Sequence, residues 1–183
     1  MRLQRIQQEM GARLVLEWKA FPLRPVPDPS ATFKGTYREE GWKRCAAMAE
    51  ADGVVFTMWG RDDYPTWSLP ALEAAKCVAL QGEDLFRRLH LRLYEAFFTR
   101  GKNIALPDEV VEIVSESGAD MTRFLADYES GKAREWVLQD YEEAITRGGV
   151  RAIPTVVVDG GQRVVGLVSG VEYRRMLEAA APR

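Results

Sequence analysis

A proline stands at the entrance of an apolar run near the C-terminus, in the segment GGVRAIPTVVVDGG (148–161). Proline has no backbone N–H to donate to a β-ladder, so it is confined to strand starts, edge strands and bulges. The run at 154–158 is followed by DGGQ, a turn sequence, and by a second run at 163–167, which is the pattern of a β-hairpin. Ser169 is a favourable N-cap for a final amphipathic helix. The sequence therefore predicts a strand, hairpin, strand and helix at its end, with Pro154 at the entrance.

The N-terminal part predicts a helix, a strand and a loop. Apolar residues recur at helical spacing over residues 1–10, and Gly11 can end that helix. Residues 13–19 alternate apolar and polar, with Leu14, Leu16 and Trp18 on one side, as in a half-buried strand. The following segment, FPLRPVPDPS, carries four prolines and predicts an extended loop.

The middle of the chain predicts only helices. Apolar residues at helical spacing, with Gly, Pro and Ser at the ends, mark the segments 37–51, 68–80, 84–100 and 107–118 and two more helices parted by Gly131. In the third of these, Leu85, Leu89, Leu93 and Phe97 form one stripe. A chain of 183 residues therefore predicts one domain with an inserted helical subdomain.

Composition and charge limit the classes of partner and site that we expect for this chain. The formal net charge is −2, which does not favour nucleic acid or an anionic membrane. The sequence has no run of about 18 apolar residues and no secretion signal pattern, so a cytoplasmic location is the default. With only Cys45, Cys77 and one histidine, His90, the sequence offers no C-x-x-C pair and no His/Cys metal site.

The segment GGVRAIPTVVVDGGQRVVGLVSGVEYRRMLEAA resembles the C-terminal half of a thioredoxin fold. Thioredoxin-like proteins place a cis-proline in the context G-V-x-x-[IV]-P-T-x-x-[VI], and the matching residues here are Gly149, Val150, Ile153, Pro154, Thr155 and Val158. The resemblance implies that the backbone beside the proline pairs with an extended peptide or with glutathione, and that Ala152, Ile153 and Pro154 bind substrate. The alternative is a trans proline that simply starts an edge strand.

The resemblance extends over nearly the whole chain. Residues 71–130 resemble the helical insertion of the DsbA family, and LEWKAFPLRP resembles the segment that follows the first helix in its FrnE-like and 2-hydroxychromene-2-carboxylate isomerase branch. The implied fold is α/β, a thioredoxin-like fold with a large all-helical insertion. The implied division is a discontinuous thioredoxin-like portion, 1–36 with 146–183, and a helical insertion, 37–145.

Two parts of the family pattern have no counterpart in the sequence: a first, central strand, and a C-x-x-C or serine motif that opens the first helix. Without that strand, residues 13–19 and 154–158 would lie about 10 Å apart, with unpaired backbone groups costing about 1–3 kcal/mol each. We expect one of three solutions: a natural start further upstream, which we favour, a second chain in the gap, or direct pairing of 13–19 with 154–158.

The remaining candidate residues have a structural interpretation that we prefer. Cys45 and Cys77 lie on apolar helix faces, which predicts buried, inert thiols, and a Cys77–His90 dyad would need contact between two helices. One loop contains a cluster of aromatic residues, Trp59, Tyr64 and Trp67. The resemblance places this loop at the rim of the active-site cleft. Packing is expected for at least one of them, and Trp67 is the candidate for lining a substrate groove.

The resemblance implies one of two classes of function. The first is an enzyme, either a thiol–disulfide oxidoreductase or a glutathione-dependent isomerase or transferase; the second is a non-catalytic binding protein that keeps the proline groove. The expected partners are thiol or disulfide peptides or small molecules, and neither nucleic acid nor a membrane; a homodimer is possible. No cofactor is implied, although glutathione could serve as a co-substrate. The sequence itself, which contains no dithiol motif, predicts no dithiol exchange and assigns no catalytic residue.

Overall fold

The computed structural model describes residues 2–158 and 161–180. Over these residues the chain forms the helices α1 (Arg2–Met10), α2 (Tyr37–Ala49), α3 (Leu69–Ala79), α4 (Glu83–Phe98), α5 (Pro107–Ser115), α6 (Met121–Glu129), α7 (Lys132–Thr146) and α8 (Gly170–Ala180). The strands are β1 (Thr155–Val157) and β2 (Arg163–Val165). Two residues of the predicted DGGQ turn, 159 and 160, lie outside the described residues.

The chain divides into two compact units. We call Met1–Lys19 together with Glu142–Arg183 the hairpin unit, and Ala20–Tyr141 the helical unit. The Pro-rich loop belongs to the helical unit. The division predicted from the resemblance, 1–36 with 146–183 and 37–145, stays a prediction.

The hairpin unit is built on a small core between helices and sheet. Helices α1 and α8 pack together. The buried residues of the core between them are Ile6, Tyr173 and Met176. β1 pairs with β2 in antiparallel fashion, with Val156 opposite Val164, and both valines pack against this core. The predicted hairpin and final helix are therefore confirmed, with strands two residues shorter than expected.

The predicted strand at 13–19 is wrong. Residues 11–13 form a 3₁₀ turn and residues 14–20 are irregular, while β1 and β2 make up the whole sheet within the described chain. The alternation itself is real, because Leu14 packs against the hairpin-unit core while Val15 is 85% exposed. A half-buried pattern becomes a strand only where a neighbouring backbone pairs with it. Direct pairing of this segment with 154–158 is likewise not found.

The helical unit has its main core where α3 meets α4, α5 and α6. Ala74, Cys77, Leu89, Val110 and Phe124 are fully buried there. The predicted stripe on α4 is confirmed, since Leu85, Leu89 and Leu93 face this core and Phe97 packs against the neighbouring aromatic residues. The periodicity of the sequence therefore fixed the orientation of this helix correctly.

A second core in the helical unit is aromatic. This aromatic cluster comprises Ala31, Phe33, Trp42, Trp59 and Tyr64, with Phe56, Phe97 and Phe98 packed against them. Trp42 is the one buried residue of α2, and its indole N–H donates to the Thr57 carbonyl at 3.0 Å. Because α2 meets the core through Trp42, Cys45 lies exposed, and its predicted burial is wrong.

Candidate substrate-binding edge at Pro154

A tight glycine turn leads from α7 to the segment that contains Pro154. The Gly148 N–H donates to the Glu143 carbonyl at 3.0 Å, and the Val150 N–H donates to the Ala144 carbonyl at 2.9 Å. A Cβ on Gly148 would lie 2.8 Å from that same Ala144 oxygen, and Gly149 has a φ of +56°. Glycine is thus needed at 148 for space and at 149 for its left-handed backbone.

Beyond this turn, residues 151–154 lie on the surface of the hairpin unit. The Ile153–Pro154 peptide bond is cis, and the Ile153 side chain is 43% exposed. The Thr155 hydroxyl donates to the Ala152 carbonyl at 2.6 Å, and the Gly166 N–H donates to the Pro154 carbonyl at 2.8 Å. The carbonyls on either side of Ile153 are therefore held in place.

The hydrogen bonds to β2 show which backbone groups of β1 remain available. The Pro154 carbonyl and the Val158 N–H both pair with the β2 side of the hairpin. Successive residues of a strand direct their hydrogen-bonding groups to opposite edges, so the groups of Ile153, Thr155 and Val157 point away from β2. No other strand covers them in the part of the chain that is described. We call these three residues' outward N–H and C=O groups the open edge.

Two arginines lie in the same unit as the open edge. Arg151 and Arg163 are both exposed, and a guanidinium nitrogen of Arg163 lies within 3.3 Å of the position that a Gly149 Cβ would take. Neither arginine forms an ion pair within the described residues. An anionic group on a bound molecule would therefore meet cations at this end of the hairpin unit.

The two thiols belong to the helical unit, whereas the open edge belongs to the hairpin unit. Burial raises the pKa of Cys77 to about 12, helped by the negative charges of Asp127 and Glu73, so this thiol stays protonated near neutral pH. Burial also lowers the pKa of His90 to about 4. A thiolate–imidazolium pair of Cys77 and His90 is therefore not supported, because both groups are held in their neutral forms.

The aromatic candidates of the loop before α3 are tied into the helical unit. Trp59 and Tyr64 are 3% and 9% exposed and belong to the aromatic cluster. Trp67 is partly buried; its indole N–H donates to the Pro25 carbonyl at 3.2 Å, and the guanidinium of Arg134 lies 5.2 Å from its ring. Of the predicted substrate-binding residues, Ala152, Ile153 and Pro154 thus lie together in the hairpin unit, while Trp67 belongs to the helical unit. The role of Trp67 stays a prediction.

The sequence prediction missed Thr155 and Val157 as candidate binding residues. The signal was present in the alternation of the run that begins at Pro154, since every second residue after Ile153 must face the same edge as Ile153. Among the described residues there is no cluster of metal-ligating side chains and no helix long and apolar enough to cross a bilayer.

A proline-entered hairpin that shares a core with α1 and α8, together with a large helical unit, agrees with a thioredoxin-like α/β fold with a helical insertion. The family model described as a DSBA-like thioredoxin domain matches residues 1–178, and the chain belongs to that family. The chain is also similar in structure to a proposed protein disulfide isomerase from Nitrosomonas europaea, with a TM-score of 0.78 and 18% identity. This match covers 97% of the present chain and 87% of the other. A search of curated proteins found no match.

Proposed function

We propose that this chain binds thiol- or disulfide-bearing substrates along the open edge, as a DsbA-like protein of the thiol–disulfide oxidoreductase type. The observation that carries the proposal is the unpaired backbone of Ile153, Thr155 and Val157 beside Pro154. An extended peptide can add to such an edge as a further strand, with main-chain hydrogen bonds giving affinity. Within the family, we assign the chain to the FrnE-like and 2-hydroxychromene-2-carboxylate isomerase branch on the basis of its LEWKAFPLRP segment.

In thiol–disulfide exchange a thiolate attacks one sulfur of a disulfide, forms a mixed disulfide and releases the other sulfur as a thiolate. Neither cysteine of this sequence suits that step. The pKa of Cys77 is raised to about 12, and Cys45 has no second thiol close in sequence to resolve a mixed disulfide. We therefore propose that these 183 residues supply substrate binding, and that dithiol exchange depends on a thiol other than these two.

A glutathione-dependent isomerase or transferase is the second candidate. Arg151 and Arg163 of the hairpin unit, which form no ion pair within the described residues, favour it, because glutathione combines an extended peptide backbone with two carboxylates. A non-catalytic thioredoxin-fold binding protein would use the same edge without any reaction. All three functions share the binding step and differ in the ligand and in turnover.

Isothermal titration with three ligands tests the proposal. The ligands are a disulfide-bonded peptide without charged side chains, oxidised glutathione and reduced glutathione. Binding of the disulfide peptide supports the oxidoreductase type, and binding of glutathione alone supports the second candidate. If none of the three binds, the open edge is not a substrate site.

Insulin reduction tests the chemical part of the proposal. The chain and its Cys45→Ala/Cys77→Ala double variant should both leave the rate of dithiothreitol-driven insulin reduction unchanged. A rate increase with the chain that the double variant lacks would show that one of these cysteines is a working nucleophile, and would contradict the assignment.

A further inference from the structure

Two arginine side chains in the helical unit converge on one tyrosine. The guanidinium carbon of Arg24 lies 5.6 Å from the centre of the Tyr64 ring, and that of Arg38 lies 5.9 Å from the same centre. Tyr64 itself is 9% exposed, whereas both arginines are partly exposed. The two cationic groups therefore line a place that solvent reaches, against a buried aromatic wall.

Ser68, just before α3, holds the backbone of Arg24 in the Pro-rich loop from both sides. The Arg24 N–H donates to the Ser68 hydroxyl at 3.0 Å, and the Arg24 carbonyl accepts from the Ser68 N–H at 3.1 Å. Further along the loop, the Asp28 N–H donates to the Thr66 carbonyl at 2.9 Å. The backbone of Arg24 is thus fixed before any ligand arrives, which lowers the entropy lost on binding.

Arg38 is held by the start of α2. Its N–H donates to the hydroxyl of Thr36, the N-cap, and one guanidinium nitrogen donates to the Thr32 carbonyl at 3.1 Å. The guanidinium also lies 4.9 Å from the ring centre of Tyr37. As the second residue of a 13-residue helix, Arg38 adds its charge to the positive end of the helix dipole.

The charges of this pair are not balanced by an ion pair. Within the described residues, neither Arg24 nor Arg38 has a carboxylate oxygen within 4.0 Å. The nearby carboxylate of Asp28 is engaged by Ser30, whose hydroxyl donates to it at 2.5 Å. This bond, followed by the charges of Arg24 and Arg38, lowers the pKa of Asp28, so both arginines sense that carboxylate without forming an ion pair with it. The Nε of Arg38 is buried without a hydrogen-bond acceptor. A buried N–H donor on a cation, beside a second cation, is an arrangement that an anion stabilises.

We propose that Arg24, Arg38 and Tyr64 form a binding site for an oxyanion, the phosphate or carboxylate group of a small molecule. The guanidinium groups of Arg24 and Arg38 donate to its oxygens, and the Tyr64 ring forms the wall of the site. Planar guanidinium groups suit both anions because each can offer two parallel N–H donors. The site goes beyond the proposed function, because it lies wholly within the helical unit and uses no group of the open edge.

Titration of the ¹⁵N-labelled protein at low ionic strength tests the site, with inorganic phosphate in one arm and acetate in the other. We expect saturable binding of at least one anion, with the largest shift at the side-chain Nε–H of Arg38. Arg38→Gln and Arg24→Gln should each weaken binding at least tenfold. The matched control is Arg44→Gln, because Arg44 is an exposed arginine on the same helix and its loss removes the same charge.

Three results would overturn the proposal: no saturable binding of either anion, a shift pattern that leaves the Arg38 Nε–H unchanged, or equal weakening by Arg44→Gln and Arg38→Gln. Arg38→Lys keeps the charge but not the paired donors, so it should also weaken binding, and the melting temperature of each variant checks that it is folded. The relative affinities of the two arms identify the ligand as phosphate-bearing or carboxylate-bearing. Failure of this site would leave the open-edge proposal untouched, since the two use different residues.

Discussion

Proline substitution on one edge of the hairpin separates binding at the open edge from the stability of the sheet. Val157 on β1 and Val165 on β2 are 56% and 55% exposed. Both belong to non-hydrogen-bonded pairs, so their N–H groups lie in the plane of the sheet and point away from the partner strand. Val157→Pro removes a donor from the open edge, whereas Val165→Pro removes a donor from the opposite edge. Neither change breaks a β1–β2 hydrogen bond. The two variants are therefore matched in exposure, in residue type and in their expected effect on the stability of the sheet.

The expected magnitude follows from one backbone hydrogen bond. Its net contribution is about 1 to 1.5 kcal/mol, so Val157→Pro should weaken binding of a disulfide peptide about 5- to 10-fold in isothermal titration. Val165→Pro should change the affinity by less than about twofold, because it touches nothing on the binding edge. Equal losses in the two variants, or unchanged affinity in Val157→Pro, would refute pairing along the open edge. Melting curves of both variants control for unfolding.

Three further predictions concern the groups around the site and in the helical unit. Gly148→Ala places a Cβ 2.8 Å from a backbone oxygen of α7. It should lower the free energy of unfolding, measured by urea denaturation, by about 1–3 kcal/mol. The control is Gly60→Ala, whose Cβ would meet no atom within 4 Å; it should change the free energy of unfolding by less than about 0.5 kcal/mol. Iodoacetamide at pH 8 should alkylate the exposed Cys45 and spare Cys77, whose pKa is raised to about 12; equal labelling in the folded protein would contradict the burial. Burial lowers the pKa of His90 from 6.5 to about 4, so the unfolded chain takes up this proton at a higher pH than the folded protein does. The group should therefore leave the free energy of unfolding constant above pH 6.5 and reduce it as the pH falls from 6.5 to 4. An NMR titration in which the His90 imidazole protonates near pH 6.5 would contradict this.

Local sequence signals predicted those elements whose partners lie close along the chain. The hairpin follows from two apolar runs separated by a turn, and α4 follows from Leu85, Leu89 and Leu93 at helical spacing. The segment 13–19 has the alternation of a strand, but whether it becomes one depends on a pairing partner that local pattern cannot supply. Cys45 shows the same limit on a helix, because the contacts of Trp42 decide which face of α2 is buried.

The candidate site was predictable in part for the same reason. Ile153 and Pro154 belong to a short contiguous motif, and the open edge extends that motif by strand alternation alone. The arginine pair at Tyr64 combines residues from a Pro-rich loop, a helix start and a second loop. No periodicity in the sequence relates positions 24, 38 and 64, so only the folded structure brings them together.

The most direct test of substrate pairing along the open edge is amide hydrogen exchange at Ile153, Thr155 and Val157, measured with and without a disulfide peptide. In the free protein these N–H groups have no backbone partner among the described residues and should exchange faster than that of Val158, which donates to the Gln162 carbonyl at 2.8 Å. With saturating peptide, exchange at all three open-edge residues should slow by at least tenfold, while that of Val165 on the opposite edge stays unchanged. Unaltered exchange at Ile153, or equal slowing on both edges, would contradict binding by strand addition.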